Sequence, residues 1–379
     1  DYHPEASIFF NSGGAEIHMP QWHYASTHFE MEDLPTTWGG YDKMPVRARY
    51  FAQKGKDYLG MTGKFHRSWG EFGGFKMPEA LTYECAALAA NGARISIGDQ
   101  LHPLGEMDLE TYKNIGKAYS YIEKIEDYCF DNMETAKLGI MLDKDEKRNE
   151  AMAKLILDCQ IDFDIVHDED DLLRFDTIIL PDRYRLSEAM GAAFETYVKG
   201  GGKVLMLGGS GLREDKDEFA FDVPFSYMGK SGYDKDFFEI AENMAEDMPE
   251  NEREKMSDHI VSSPILCYTS AHKVKGEGKV HALIREPYFS RTYGKYCSHY
   301  NTPYRQEAAD YPGAVQSGNI LYAAHELATM YADYGMVYHR RYFRWLLEKL
   351  YRKSCVAVDM PSRGRIHFVK RKDGNEYVL

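Results

Sequence analysis

The sequence predicts an α/β fold made of successive parts, and three observations carry that prediction. Strand-like runs alternate with amphipathic helical patterns through residues 1 to 130, the pattern of parallel βα units. Residues 131 to 353 repeat the alternation with short, continuously apolar strands, as a doubly wound, flavodoxin-like sheet requires. Residues 354 to 379 then shift to residue-by-residue alternation at Ile366-His367-Phe368-Val369, which reads as the start of a small β domain. At 379 residues the chain is long enough for more than one part to bury its own core.

Taken in order, the first strands are expected at Ser7 to Asn11, His23 to Glu32, Tyr58 to Gly63 and Arg94 to Asp99. Helices are expected between and after them at Val46 to Gln53, Pro78 to Ala90 and Leu109 to Ile125. Pro78 suits a first helical turn, and Asn91-Gly92 suits a stop. A complete (β/α)8 barrel needs about 250 residues. This stretch therefore reads as the C-terminal half of a barrel, with a small open α/β sheet as the alternative. In the second part, strands are expected at Lys137 to Leu142, Phe163 to Val166, Thr177 to Leu180 and Lys203 to Leu207. Helices fall at Asn149 to Asp158 and Ser187 to Lys199. Residues 211 to 260 are acidic and poor in aliphatic side chains, the profile of an inserted, mobile segment. Strands resume at Ile265 to Tyr268 and Val280 to Ile284, and a helix at about Gly335 to Tyr351 closes this part. No internal repeat is apparent.

Composition excludes several classes. Hydrophobic residues make up 44% and charged residues 28%, which describes a folded globular chain. The formal net charge of −14 argues against a nucleic-acid partner, because phosphate binding needs clustered Lys and Arg. The one basic knot, His339-Arg340-Arg341 with Arg344, falls in a helical pattern and reads as a surface or interface stripe. The six cysteines show no CxxC and no regular spacing, so neither a zinc site nor a disulfide framework is indicated, and no cofactor motif is present. No apolar run is long enough for a membrane span; no signal peptide is visible, which means little in a chain that starts without a Met, and the location is open with a bacterial cytoplasm as the expectation. The chain starts without a Met and ends on Glu376-Tyr377-Val378-Leu379, in what reads as mid-strand. Both ends look cut.

The stretch THFEMEDLPT, Thr27 to Thr36, directs attention to chemistry. Side chains alternate across a strand, so His28, Glu30 and Glu32 share one face while Phe29 and Met31 take the other. Ligands of parallel α/β sheets bind at the carboxyl ends of the strands. Those ends carry Asn11, then Glu30 and Glu32, then Lys64, His66 and Trp69, then Asp99 and His102. The loop after Glu32 adds Trp38 and Tyr41. Carboxylates supply acid, base or nucleophile, aromatic faces stack on pyranose rings, and His and Asn bind hydroxyls, so this set suits a sugar-cleaving cleft. Glu32, at the strand's end before a Pro-containing loop, is the expected catalytic acid, and Glu30, one pleat deeper, completes the catalytic set by supporting it. The two stand ~6.5 to 7 Å apart along the strand, whereas a retaining pair needs ~5 to 5.5 Å, so a partner acid from another strand fits better. Each of these residues also has a plain structural reading: Asn11 before Ser12-Gly13-Gly14 as a turn, Asp99 as a loop cap, Trp69 as core. Gly208-Gly209-Ser210-Gly211 reads as a turn, and Cys267 as a buried thiol without the Gly-flanked elbow of a nucleophile.

THFEMEDLPTTWGGYDKMP, YLGMTGKFHRSWGEFGGFK and NGARISIGDQLHPLGEMD resemble the second half of the catalytic barrel in bacterial α-L-fucosidases of glycoside hydrolase family 151, also labelled hypothetical glycosyl hydrolase 6. The chain beyond about Thr135 is similar to the β-galactosidase trimerisation domain of family 42 enzymes, a class I glutamine-amidotransferase-like fold that is non-catalytic there. The resemblance implies a retaining fucosidase acting on fucosylated oligosaccharides and assembling as a homo-oligomer, a trimer or hexamer. In that reading Asn11, His28, Trp38, Tyr41, His66, Trp69, Asp99 and His102 line the sugar subsite. Met31-Glu32-Asp33-Leu34-Pro35 is similar to the segment around the family 42 nucleophile, which makes Glu32 the nucleophile. SWGEFGG followed by GARISIGDQLHPLGEMD looks instead like the end of the family 29 barrel, where Glu32 is the acid/base or a binding residue. A β-galactosidase-like enzyme, a non-catalytic carbohydrate-binding or assembly protein, and an amidotransferase-like enzyme with a Cys-His pair near Gly208 are the other readings.

Overall fold

A computed structural model describes residues 3–9, 17, 24–38, 40–246, 248–256, 258–352 and 354–379. The fold is mixed α/β and separates into two compact units. One comprises Asp1–Thr135 together with Arg365–Leu379, the other Ala136–Gly364.

In the first unit, β1 (Phe29–Glu32), β2 (Tyr58–Gly63) and β3 (Arg94–Gly98) form a parallel sheet in that order. Three helices run between and after them: α1 (Lys43–Ala52), α2 (Pro78–Ala90) and α3 (Leu109–Ile122). The alternation in β1 acts as expected, with Phe29 and Met31 packed among Met44, Ala48, Phe51 and Leu88. Gly60 lets β2 approach α2, since a Cβ there would fall 1.9 Å from Leu88 Cδ2. Pro78 opens α2 at its first turn, and Gly92, at φ +75°, follows its end. The strand expected at Ser7 to Asn11 is not formed at residues 7–9, and Asn11 lies outside the described residues.

The tail expected to begin a separate β domain is bound into this first unit. Here β16 (Val369–Arg371) pairs antiparallel with β17 (Tyr377–Val378) and with β4 (Asn132–Glu134). Arg49 Nη2 donates to Ile366 O at 3.2 Å, Arg365 pairs with Asp42 at 2.5 Å, and His367 Nε2 meets Glu134 Oε2 at 2.8 Å. Ile366 and Val369 are buried while Phe368 is part-buried and stacks on Tyr377, so burial here does not follow strict alternation.

The second unit is built on a nine-stranded sheet. The strands β5 (Leu138–Met141), β6 (Asp164–Val166), β7 (Thr177–Leu180), β8 (Lys203–Leu207) and β15 (Ile320–Ala323) run parallel. Beyond β15 the sheet is antiparallel through β14 (Pro312–Ser317), β13 (Lys279–Arg285), β10 (Asp236–Ile240) and β11 (Ile265–Cys267). Across the sheet the order is β11-β10-β13-β14-β15-β8-β7-β5-β6. A separate pair joins β9 (Phe225–Lys230) to β12 (His272–Gly276). The parallel strands β5, β6 and β7 are buried at every residue, which explains their uninterrupted apolar runs.

The structure corrects two expectations. The acidic stretch at 211 to 260 is not a mobile insertion: it supplies β10, whose Phe237, Phe238 and Ile240 are buried, with Phe238 stacked on Tyr342 at 3.9 Å. Averaging composition over fifty residues concealed a five-residue strand. Of the basic knot the three arginines are part-exposed, and the histidine alone departs from a surface stripe. The knot lies on a helix, Val337–Leu350, where His339 is fully buried and its Nε2 donates to Leu266 O, 2.9 Å away. Burial pushes that imidazole down to about 4. No helix among the described residues is long and apolar enough to cross a membrane.

Candidate active site

The parallel sheet of the first unit sets Glu32 beside Met61 and Gly63 beside Gly98. The chain therefore leaves adjacent strands at Asp33, Lys64 and Asp99. Backbone bonds continue past the strands, from Asp33 N to Met61 O at 2.8 Å and from Lys64 N to Gly98 O at 3.1 Å. The loops beyond are laced together as well. Thr37 Oγ1 donates to Arg67 O at 2.5 Å, and Gln100 Nε2 donates to Glu71 O at 3.2 Å. Three short strands thus hold one continuous rim.

On that rim Glu32 is half-buried, and its carboxylate has no hydrogen-bond or ion-pair partner among the described residues. Its backbone carbonyl is fixed by Arg47 Nη1 at 2.8 Å. Glu30 is engaged: its Oε1 lies 3.0 Å from His28 Nε2, and His28 Nδ1 lies 3.3 Å from Thr27 Oγ1. At the neighbouring strand ends Lys64 Nζ stands 3.6 Å from Asp99 Oδ1, and the same Asp99 oxygen accepts from Gln100 N at 2.8 Å. Trp69 lies over Gly98, where a Cβ would fall 2.2 Å from its Cη2, and it remains 44% exposed. The structure thus joins Trp69 with the Gly98-Asp99 end of β3, and His28 with Glu30. Trp38 is 40% exposed on the loop after β1. His66 and His102 are exposed on the loops after β2 and β3, with His102 edge-on to Phe72 at 6.1 Å.

Tyr41 turns toward α2, donating to Glu84 Oε1 at 3.2 Å, and it lines a small cavity with Asp33, Pro35, Thr62 and Tyr83. Burial, with Glu84 beside it, pushes this phenol up to about 12. Beneath the rim lies a cluster that sequence reasoning missed. Glu84 Oε2 accepts from Lys76 Nζ at 2.7 Å and from Thr62 Oγ1 at 2.5 Å, and both charged side chains are almost wholly buried. Asp33 is also buried, on the face opposite Glu32. Burial drives its carboxyl up to about 7 against the pull of Arg47 and Lys43, and its Oδ1 has no hydrogen-bond partner among the described residues. Asp33 was adjacent to a suspected acid and Lys64 stood at a strand end, so both had a signal. Lys76 and Glu84 meet only through the fold.

The second unit holds two buried polar clusters. Glu326 follows β15 and receives Arg183 at both oxygens, 2.7 Å each, as well as Lys230 at 3.1 Å and His272 at 2.9 Å. These donors hold its carboxyl well below the usual range although burial acts the other way. Gly208 and Gly209 close on this cluster, since a Cβ would fall 2.8 Å from Glu326 Cγ and 2.7 Å from His272 Cε1 respectively. The glycines of this turn serve packing. The second cluster joins Asp236, Cys267 and His325, whose donor atoms lie within 4.8 Å of one another, with His325 Nε2 and Asp236 Oδ1 2.5 Å apart. Nothing local in the sequence signals this Cys-His pair or a metal-capable group, because the three residues come from separated segments. All three are buried and burial raises the thiol, so Cys267 is closed to a substrate, and the structure gives an amidotransferase-like nucleophile no support. All six cysteines are free.

Residues 149–257 match a family model described as the β-galactosidase trimerisation domain. Comparison with curated proteins returns no match. The structure is similar to α-L-fucosidase isoenzyme 2 from Paenibacillus thiaminolyticus, with a TM-score of 0.89 and 30% identity over 99% of this chain and 57% of that one. The chain thus spans little more than half the length of that relative. It is also similar to the β-galactosidases of Rahnella sp. R3 (TM-score 0.65, 13% identity, 92% of this chain and 54% of that one) and Bacillus circulans sp. alkalophilus (0.64, 13%, 93% and 54%). At such identities these two show a shared fold.

Proposed function

We propose that the protein is a glycoside hydrolase, a retaining α-L-fucosidase acting on fucosylated oligosaccharides, with its substrate held at the carboxyl end of β1-β2-β3. In this reading the three strands belong to a (β/α)8 barrel. The sheet of the second unit is a flavodoxin-like, amidotransferase-like module that assembles copies of the protein into trimers or hexamers. The observation that carries the reading is Glu32, an unpartnered carboxylate among the described residues, on a rim that also bears Trp38, Trp69 and Asp99. The 30% identity to a named fucosidase along 99% of the chain supports it.

Retaining hydrolysis needs one carboxylate to attack the anomeric carbon and a second to protonate the departing oxygen and then deprotonate water. Glu32 fills one of these roles. Glu30 is tied to His28 and lies one pleat away on the same strand, so it positions rather than reacts, and the second carboxylate comes from a different strand. Lys64, Asp99, His66 and His102 provide donors and acceptors for hydroxyls, and the exposed indoles provide stacking faces.

The test is release of 4-nitrophenol from its α-L-fucoside and β-D-galactoside by the full-length protein. Glu32→Gln is expected to lower fucoside turnover by about 10²–10⁴-fold with the fold intact; wild-type rates would remove Glu32 from the mechanism. A β-galactosidase-like activity is the second reading, favoured by the trimerisation-domain match, and faster cleavage of the galactoside would select it. Sugar binding with neither cleavage would select a carbohydrate-binding or assembly role.

A further inference from the structure

The connection from β13 to β14 spans residues 286–311, far longer than a turn needs. It is ordered by its own bonds: Arg305 N to Glu286 O at 2.8 Å, Tyr288 N to Pro303 O at 3.2 Å, and Thr302 Oγ1 to Phe289 O at 2.6 Å. Against the start of β10 it borders a half-open cavity of about 450 Å³. Phe237 and Phe289 are among its apolar lining, and Tyr296 and Tyr300 among its exposed lining. The Lys235 ammonium sits over the Tyr300 ring at 5.1 Å and the Arg291 guanidinium over Tyr296 at 5.2 Å. A cation over each ring restrains it within the cavity's lining.

We propose that this cavity, carried wholly by the second unit, is a saccharide-binding site that takes a neutral ligand of one or two pyranose rings. The kind of sugar rests on the proposed function; the site itself rests on its lining. Its volume is in the range of small-ligand pockets. Aromatic faces beside planar hydrogen-bonding groups, here the Asp234 carboxylate and the Asn301 amide, match the C–H faces and vicinal hydroxyls of a pyranose. Lys235 is offset by Asp234 at 3.0 Å, and Arg291 Nη1 donates to Tyr300 O at 2.8 Å. One guanidinium is then the net charge of these three side chains, so anionic ligands are tested beside neutral ones.

NMR of ring-labelled tyrosine in the full-length protein, read at Tyr296 so that binding in the catalytic cleft does not register, tests the site with methyl α-L-fucoside, methyl β-D-galactoside, glucuronate and inorganic phosphate as probes. Tyr300→Ala and Asp234→Ala, both at exposed positions, are each expected to weaken binding of a neutral glycoside at least about tenfold. Turnover of an aryl glycoside at saturating concentration should not change. Glu32→Gln, by contrast, should lower turnover by about 10²–10⁴-fold and leave this binding in place, so failure of the catalytic reading and failure of this site give different patterns. Binding that survives both loop variants overturns the proposal, as does the absence of any neutral-glycoside binding. Tyr300-dependent binding of glucuronate or phosphate alone would overturn it too, in favour of an anion site.

Discussion

Replacing Lys76 by Met tests the buried pair beneath the rim. Lys76 Nζ and Glu84 Oε2 are 2.7 Å apart, and their side chains are 1% and 2% exposed. At an effective dielectric of about 20 their attraction is about 6 kcal/mol, most of it offset by the cost of taking both charges out of water. Removing one partner leaves the other charge buried, and such changes cost roughly 3–5 kcal/mol. Lys76→Met should therefore destabilise the first unit by that amount. Lys76→Met/Glu84→Leu should cost less than either single change, although Thr62 and Tyr41 then lose an acceptor worth about 1 kcal/mol each. The assay is urea unfolding at pH 7 followed by tryptophan emission, with Trp38 and Trp69 in the first unit as reporters. A coupling energy of at least about 2 kcal/mol is expected from the double-mutant cycle. A Lys76→Met cost under about 1 kcal/mol, or strict additivity, would refute the argument that this pair is dry and mutually dependent.

Asp33→Asn should change how stability depends on pH. The folded carboxyl titrates at about 7 against an ordinary 3.8, so its contribution is fully present below pH 3.8 and is lost as pH rises through 7. A shift of that size is worth about 4 kcal/mol, and urea midpoints at pH 4, 6 and 8 should flatten in the Asn variant; parallel curves for the two proteins would contradict the burial argument. Gly98→Ala should push Trp69 off the end of β3, seen as a red-shifted tryptophan emission, because the added Cβ would fall 2.2 Å from its Cη2. Unchanged emission would show that the indole is not held there. A thiol reagent at pH 7.5 should modify exposed Cys355 quickly in the native protein and spare Cys159 and Cys267, whose thiols burial pushes up, until urea is added. Native-state labelling of Cys267 at the rate of Cys355 would overturn its assigned burial.

The sequence exposed some of this plainly and concealed the rest for physical reasons. Thr177–Leu180 and Lys203–Leu207 were readable because parallel strands covered on both faces leave uninterrupted apolar runs. Pro78–Ala90 was readable because a first-turn proline and an Asn-Gly stop act locally. In the same way Ser187 caps its helix by accepting from Met190 N. The strands β14 and β15, PGAVQS and ILYA, are short and take their stability from neighbours across the sheet, so no local pattern announced them. At the rim, alternation was enough to place Phe29 and Met31 inward and Glu30 and Glu32 on the other face. It was not enough to find the Lys76–Glu84 pair or the Asp236, Cys267 and His325 cluster. Both assemble from separated segments, and the pairing of residues 365–379 with β4 was hidden for the same reason.

The pairing of the tail with β4 also sets the order in which the molecule is made. The first unit cannot pair β4, engage Arg49 with Ile366, or place Arg365 on Asp42 until residues 365–379 leave the ribosome. Between Thr135 and Arg365 the ribosome must synthesise the whole second unit, a wait on the order of 10–45 s at the usual 5–20 residues per second. During that interval the nascent first unit carries an open strand edge at β4, and by the time Arg365 is made every strand of the nine-stranded sheet has been synthesised. An early stop before Arg365 would therefore release a chain with a complete second sheet and a first unit still unsealed at β4.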